Sequence, residues 1–162
     1  MYDGWSIFTE KYLKDNWKFE ILKMLSKKTK YGLKALSYLA KQTKNVPVLI
    51  SDISESENIS RKFLESILLT LKKSGILASK KGKGGGYYLL KSPNEIKIST
   101  LIRLLEGPIA MLPCVSLNYY EKCDDCKNEE RCSLNILMAE VRDSTLKILE
   151  NKTLQNFNCG NR

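Results

Sequence analysis

The segment from Ile50 to Leu90 leaves this chain few choices of fold. Its most restrictive part is Lys80-Lys81-Gly82-Lys83-Gly84-Gly85-Gly86-Tyr87. Glycine tolerates positive φ and lets a backbone come close to a surface, so the run predicts a tight hairpin. Ile76 to Ser79 reads as the outgoing strand and Tyr87 to Leu90 as the return. Upstream, Ser51 to Glu57 reads as a short helix, with a turn at Asn58–Ile59. Ser60 then opens a longer amphipathic helix that Ser74–Gly75 closes. Helix, turn, helix and basic hairpin in that order describe a winged helix-turn-helix, a reader of duplex DNA. The expected fold is mainly α with a small β-hairpin wing.

A glycine–lysine loop also suits nucleotide phosphates. That use needs a following helix and a Gly-Lys-Ser/Thr ending. Tyr-Tyr-Leu-Leu follows here and is strand-like, so the nucleotide reading fails.

The formal net charge of +9 favours a polyanionic partner. The chain has no histidine, which removes the commonest general base, metal ligand and pH switch. Carboxylates are scattered over surface helices, no acid–base constellation is visible, and no enzyme is expected. No stretch reaches the ~20 apolar residues that span a bilayer, so no membrane partner is expected. No signal peptide is visible either, and a cytoplasmic setting is expected. There, clustered cysteines more often bind metal or sense redox state than form structural disulfides.

In the longer helix, Phe63, Leu64, Ile67, Leu68 and Leu71 follow helical spacing and are expected to face the core. Ser60 is the expected N-cap and, at the start of this helix, also a candidate DNA contact. A helix entering the major groove presents its N-terminal residues to base edges, which nominates Arg61, Lys62, Glu65 and Ser66. Arg61 or Lys62 suits guanine edges or phosphate, and Glu65 can accept from cytosine N4. Glu65 can equally be a surface residue paired with Lys62 or Lys72. Lys72 and Lys73 suit the phosphate backbone or the helix C-terminal dipole. The acidic Asp52, Glu55 and Glu57 would repel phosphate, so the short helix should support the reader.

Residues 26–41 read as a helix with Leu33, Leu36, Tyr38, Leu39 and Ala40 inward and Tyr31 at its start. Lys27, Lys28, Lys30 and Lys34 are placed on its open side. They are either a solvated face or contacts to flanking phosphates; Lys28 and Lys30 join the candidate DNA contacts. In the wing those are Lys80, Lys81, Lys83, Gly84, Gly85 and Tyr87.

Ile98 to Glu106 is a further helix. Cys114, Cys123, Cys126 and Cys132 follow, spaced C-x8-C-x2-C-x5-C in a polar, locally acidic loop. Four thiols that close in sequence can converge on one metal centre. Ser133 to Phe157 carries a stripe of Leu134, Leu137, Met138, Val141, Thr145 and Ile148, extended by Leu149 and Leu154. Such a helix must fold back or pair; pairing with a second subunit is the expectation, because helix-turn-helix proteins read two half-sites as dimers.

The expected organisation is therefore a peripheral or non-native extension (1–23), a winged helix-turn-helix (24–92), a linking helix and cysteine loop (93–132), a dimerisation helix (133–157) and a disordered tail (158–162). A helix from Ile7 to Leu22 is possible in the first, and Cys159 in the last is a bystander.

With these residues in hand, the chain resembles the IscR/NsrR/CymR type of bacterial winged-helix regulators (the Rrf-two superfamily). The carriers are Lys30-Tyr31-Gly32-Leu33-Lys34-Ala35-Leu36, Ile59-Ser60-Arg61-Lys62-Phe63-Leu64-Glu65 and Leu71-Lys72-Lys73-Ser74-Gly75-Ile76-Leu77. Gly82-Lys83-Gly84-Gly85-Gly86-Tyr87 and a cysteine loop before a long helix complete the match, over roughly residues 24 to 157. The resemblance implies a homodimeric transcription factor that crosses its long helices between subunits, with Glu65 taking part in sequence readout. Cluster-binding members use three cysteines ending in C-x5-C and a non-cysteine fourth ligand. Cys126 and Cys132 match that ending and Cys114 suits the first position. Cys123 is additional, and Asn135 stands where some members have histidine. An iron–sulfur cluster, zinc, a thiol switch or no cofactor are the alternatives this leaves. The rival reading from another class is a cofactor-free winged-helix module that regulates by binding a protein partner.

Overall fold

The computed structural model describes residues 25–124, 126 and 128–157. The expectations for residues 1–23, for Asp125 and for the tail with Cys159 lie outside them. Five helices and one two-stranded antiparallel hairpin make up the described chain. No helix among the described residues is long and apolar enough to cross a membrane.

Helix α1 (Lys27–Ala40) begins at Ser26, whose hydroxyl accepts the Thr29 N–H at 3.2 Å. Its buried side carries Leu33, Leu36 and Leu39, as the periodicity predicts, but also the small residues Thr29, Gly32, Ala35 and Ser37. Tyr38 and Ala40, expected inside, are only half-buried. Small residues are weak hydrophobic signals, yet they set how closely a helix approaches its neighbours. An added Cβ on Gly32 would lie 2.5 Å from a methyl of Leu105.

A second acceptor caps α1 from far along the chain. The Glu106 carboxylate accepts the Ser26 N–H at 2.9 Å and the Thr29 hydroxyl. Burial pushes the Glu106 carboxyl up, but the hydrogen bonds from Thr29 and Ser26, together with nearby Lys28, outweigh it and hold it below its ordinary value. Its contribution to stability is thus complete above the ordinary value and is lost as pH falls through the lowered one. Glu106→Gln should unfold about 1 kcal/mol more easily at neutral pH. In urea titrations across pH the two proteins should converge on acidification; a constant gap would contradict the cap.

Helix α2 (Ile50–Glu57) buries Ile53 and ends at Asn58, φ 51°, from which the Ile59 N–H returns to the Ser54 carbonyl at 3.0 Å. Lys34, expected on the open side of α1, instead reaches the end of α2, 3.2 Å from the Glu57 carboxylate and 3.3 Å from its carbonyl. A cation at a helix C-terminus complements the dipole there.

Helix α3 (Arg61–Lys73) buries Leu64, Ile67, Leu68 and Leu71 against α1 and α2. Phe63, expected in the core, lies at the flank of this face. It is about one-third exposed and meets Tyr31 of α1 edge-on, with ring centroids 5.8 Å apart. Ser60 occupies the N-cap position, but its hydroxyl makes no capping bond, contrary to expectation. Gly75, φ 73°, turns the chain into strand β1 (Leu77–Lys80), which pairs with β2 (Gly86–Leu89) in the register Leu77↔Leu89 to Lys80↔Gly86. Both strands are offset by one residue from the sequence reading.

Helix α4 (Ile98–Leu105) adds Ile98, Leu101, Ile102 and Leu105 to the same core. Helix α5 (Ser133–Glu150) stops before Leu154, which the sequence places on its extension. Leu154 is instead buried among the winged-helix residues. The reason is a return of backbone pairing: Ile98 N–H donates to the Lys152 carbonyl at 2.9 Å and Leu154 N–H to the Ile96 carbonyl at 2.8 Å. The Ser37 hydroxyl also donates to the Phe157 carbonyl. The end of α5 is thereby strapped to the winged-helix core.

Candidate nucleic-acid interface

The outward face of α3 follows from its inward one. With Leu64, Ile67, Leu68 and Leu71 inside, 100° steps put Lys62, Glu65, Ser66, Leu69 and Lys73 on the far side. Ser60, Arg61, Lys62 and Glu65 are all exposed, and so is Leu69, which the sequence reading passed over. Lys72 has a local role: its ammonium donates to the Ser79 hydroxyl at 2.7 Å, tying the end of α3 to the wing.

Lys80, Lys81, Lys83 and Gly84 are exposed around the hairpin turn. Gly85 is not; it is buried inside the turn, its N–H on the Gly82 carbonyl at 2.9 Å. An added Cβ on Gly85 would lie 2.4 Å from the Lys80 carbonyl oxygen, so the residue shapes the wing. Tyr87 is half-buried against the core. Burial first, and the Glu65 carboxylate second, raise its phenol above the ordinary value. Glu65 is thus within electrostatic reach of Tyr87, and the Lys72–Ser79 hydrogen bond ties α3 to the wing. Lys30 is exposed and Lys28 half-buried near Glu106, both in the first turn of α1.

The wing has an anchor with no sequence signature. Val48 forms an isolated antiparallel pair with Tyr87, exchanging N–H to carbonyl bonds of 2.9 and 2.8 Å. Gly86 makes this possible. Its φ is 148°, and an added Cβ would lie 2.1 Å from the Val48 carbonyl oxygen.

The cysteine segment is less open than its polarity suggests. Cys114 sits in a helical turn (Pro113–Val115) and is buried with Val115 and Ser116. Arg142 of α5 donates to the Val115 carbonyl and to the Asp143 carboxylate, the latter at 2.8 Å. Cys123, Cys126 and Cys132 are half-buried, and Cys132 occupies the N-cap position of α5. Burial pushes the Cys126 thiol up, and its hydrogen bond to Cys132 pushes it further. One Glu129 carboxylate oxygen accepts the Tyr120 hydroxyl at 2.7 Å; the other is buried without a partner. A ready four-thiol centre does not fit this arrangement. Among the described residues, no three His, Cys, Asp or Glu side chains are placed to share a metal ion. Cys114 is held under α5 while Cys126 and Cys132 pair at its N-terminal end.

Helix α5 presents two faces. Arg142, Leu146 and Leu149 turn toward the rest of the chain, and of these only Leu146 is fully buried. Leu134, Leu137, Val141 and Ile148 are 53%, 51%, 36% and 63% exposed on another face.

Known proteins share this architecture. A family model described as an iron-dependent transcriptional regulator matches residues 25–159. The rrf2-like HTH-type transcriptional regulator of Rhodobacter capsulatus is 42% identical over 137 residues, covering 83% of this chain and 91% of that protein. The HTH-type transcriptional regulator IscR of Pectobacterium carotovorum is 32% identical over 133 residues, covering 82% and 77%. Among solved structures, CymR, the global cysteine regulator of B. subtilis, superposes with a TM-score of 0.68 at 29% identity, covering 85% of this chain and 98% of that one. IscR of T. potens gives 0.64 at 30% identity, covering 82% and 83%. These relatives are transcriptional regulators and not enzymes. Taken with the winged helix-turn-helix geometry, they establish that the chain belongs to the Rrf2 family of transcriptional regulators.

Proposed function

We propose that the protein works in the cytoplasm as a homodimer that binds double-stranded DNA through two copies of the α3–wing face. The N-terminal half of α3 enters the major groove, where Arg61 and Lys62 meet guanine edges or phosphate and Glu65 accepts from cytosine N4. Lys28 and Lys30 contact flanking phosphates. Lys80, Lys81 and Lys83 carry the wing onto the backbone or into the minor groove. The observation that carries this reading is the hydrogen bond from the Lys72 ammonium to the Ser79 hydroxyl at 2.7 Å, which supports a single continuous surface formed by recognition helix and wing.

The test is a titration of duplex DNA at rising salt. Affinity should fall steeply, because each lysine–phosphate contact releases condensed counterions. Removing Lys80, Lys81 and Lys83 together should lower the slope by about three units, roughly one per contact. A flat response in the unmodified protein would favour a module that binds a protein partner instead.

The segment from Cys114 to Cys132 is the sensory element in this reading. It lies against α5, so a change of state there reaches the dimer contact and alters DNA affinity by as much as the two states differ in binding free energy. An iron–sulfur cluster or zinc would require the segment to close further than it does here. Visible absorption and metal analysis after anaerobic purification decide the input. A colourless, metal-free protein with free thiols would remove both cofactors and leave thiol chemistry.

A further inference from the structure

A crevice of about 260 Å³ opens where three parts of the molecule meet: the end of α1 with the loop after it, the root of the wing, and the C-terminal strap. It is smaller than the ~300–1,000 Å³ usual for drug-sized ligands, which fits a small metabolite. Its chemistry is one-sided. Lys44 and Lys91 line it, no carboxylate does, and neither lysine is in an ion pair among the described residues. Asn45 and Gln155 supply amides beside them, and Leu39 with the half-buried Leu89 supplies apolar wall. Asn45 turns the loop along the crevice with a φ of 62°, in the left-handed region that asparagine enters more readily than other side chains.

We propose that this crevice binds a small organic carboxylate and that the ligand acts as an effector. The carboxylate meets Lys44 and Lys91, and the hydrocarbon body lies along the apolar wall. The position gives the ligand leverage. Leu89 belongs to the returning wing strand, Gln155 to the strap from α5, and Lys44 to the loop leading to Val48, which anchors the wing. A ligand that bridges these parts has different contact energy in different wing positions, which is the condition for coupling to DNA. The effector role rests on the DNA-binding reading above. Occupancy itself is measured without DNA, so the two can fail separately.

The experiment uses the full chain and four probes: benzoate, phenylacetate, hexanoate and succinate, with benzamide as the uncharged match for benzoate. At saturation at least one carboxylate should raise Tm by about 3 °C, and benzamide should not. Lys44→Glu with Lys91→Glu should abolish the shift, while Lys44→Arg with Lys91→Arg should keep it. Both lysines are exposed, so the charge reversals leave the core intact. The responding carboxylate should also change the DNA Kd at least threefold in the unmodified protein and not in the Glu variant. The binding site is overturned if no carboxylate shifts Tm or if the shift survives charge reversal. A carboxylate that binds without moving the DNA Kd overturns the effector role. A Glu variant that loses about two units of salt slope, with no carboxylate response in the parent, identifies the crevice as a phosphate contact instead.

Discussion

Changing Val141 and Ile148 together to glutamate should leave a folded monomer that has lost most of its affinity for DNA. Leu134, Val141 and Ile148 recur every seven residues, with Leu137 between the first two. A seven-residue apolar period is the spacing of a helix that pairs with another helix. These side chains point away from the protomer, so they add little to its own stability and the variant should keep its helical spectrum and Tm. In a two-fold pair each position counts twice. In the proposed dimer, burying four side chains at roughly 1.5 kcal/mol each would contribute about 6 kcal/mol, and glutamate would replace that gain with charge repulsion. The dimer dissociation constant should therefore rise by about 10⁴-fold, read by sedimentation equilibrium. With one reader per molecule, the second half-site no longer holds the first. Affinity for a two-half-site duplex should fall to the value for a single half-site, about 100-fold or more. A variant that stays dimeric would show that the stripe covers something else.

The stripe illustrates what a sequence can and cannot disclose. Helical periodicity finds Leu134, Leu137, Val141 and Ile148, but it is the same whether a face turns into its own core or toward another molecule. The coordinates separate the two by showing Leu146 inside and the stripe outside. The reader itself was legible because its signals are local: the turn at Asn58, the glycine after α3, the lysine–glycine hairpin. What escaped was long-range. Nothing near Glu106 announces that it caps a helix 80 residues earlier, and nothing near Leu154 marks it as a core residue of the winged domain. Cys114 read as part of a polar loop because its neighbours in sequence are polar, whereas its burial comes from α5, which begins 19 residues later. Phe63 failed for a subtler reason. It is apolar and near the edge of the buried arc, and only the position of Tyr31 decides that it packs at the rim.

The smallest substitution in the wing should have an effect out of proportion to its size. Gly86→Ala adds one methyl, yet that carbon would lie 2.1 Å from the Val48 carbonyl oxygen, 2.4 Å from its carbon and 2.9 Å from its nitrogen. All three are backbone atoms, so no rotamer change relieves the contact. At φ 148° the backbone itself is also unfavourable for any residue with a Cβ. The Val48–Tyr87 pair must open, losing two hydrogen bonds, and the combined cost should be about 3 kcal/mol in urea unfolding. Gly84→Ala is the control: its φ of 75° is strained too, but the added carbon meets nothing within 4 Å, so it should cost only about 1 kcal/mol. Hydrogen exchange should show the amides of Val48 and Tyr87 losing protection in Gly86→Ala and keeping it in Gly84→Ala. Opening the pair also removes the wing's backbone tie to Val48, leaving the hairpin held to α3 by the Lys72–Ser79 hydrogen bond. DNA affinity should fall at least tenfold, with a smaller salt slope as Lys80, Lys81 and Lys83 lose their register on the backbone. If Tyr87 stays protected in Gly86→Ala, the wing is held in place by the hairpin and α3 alone, and the pairing with Val48 is incidental.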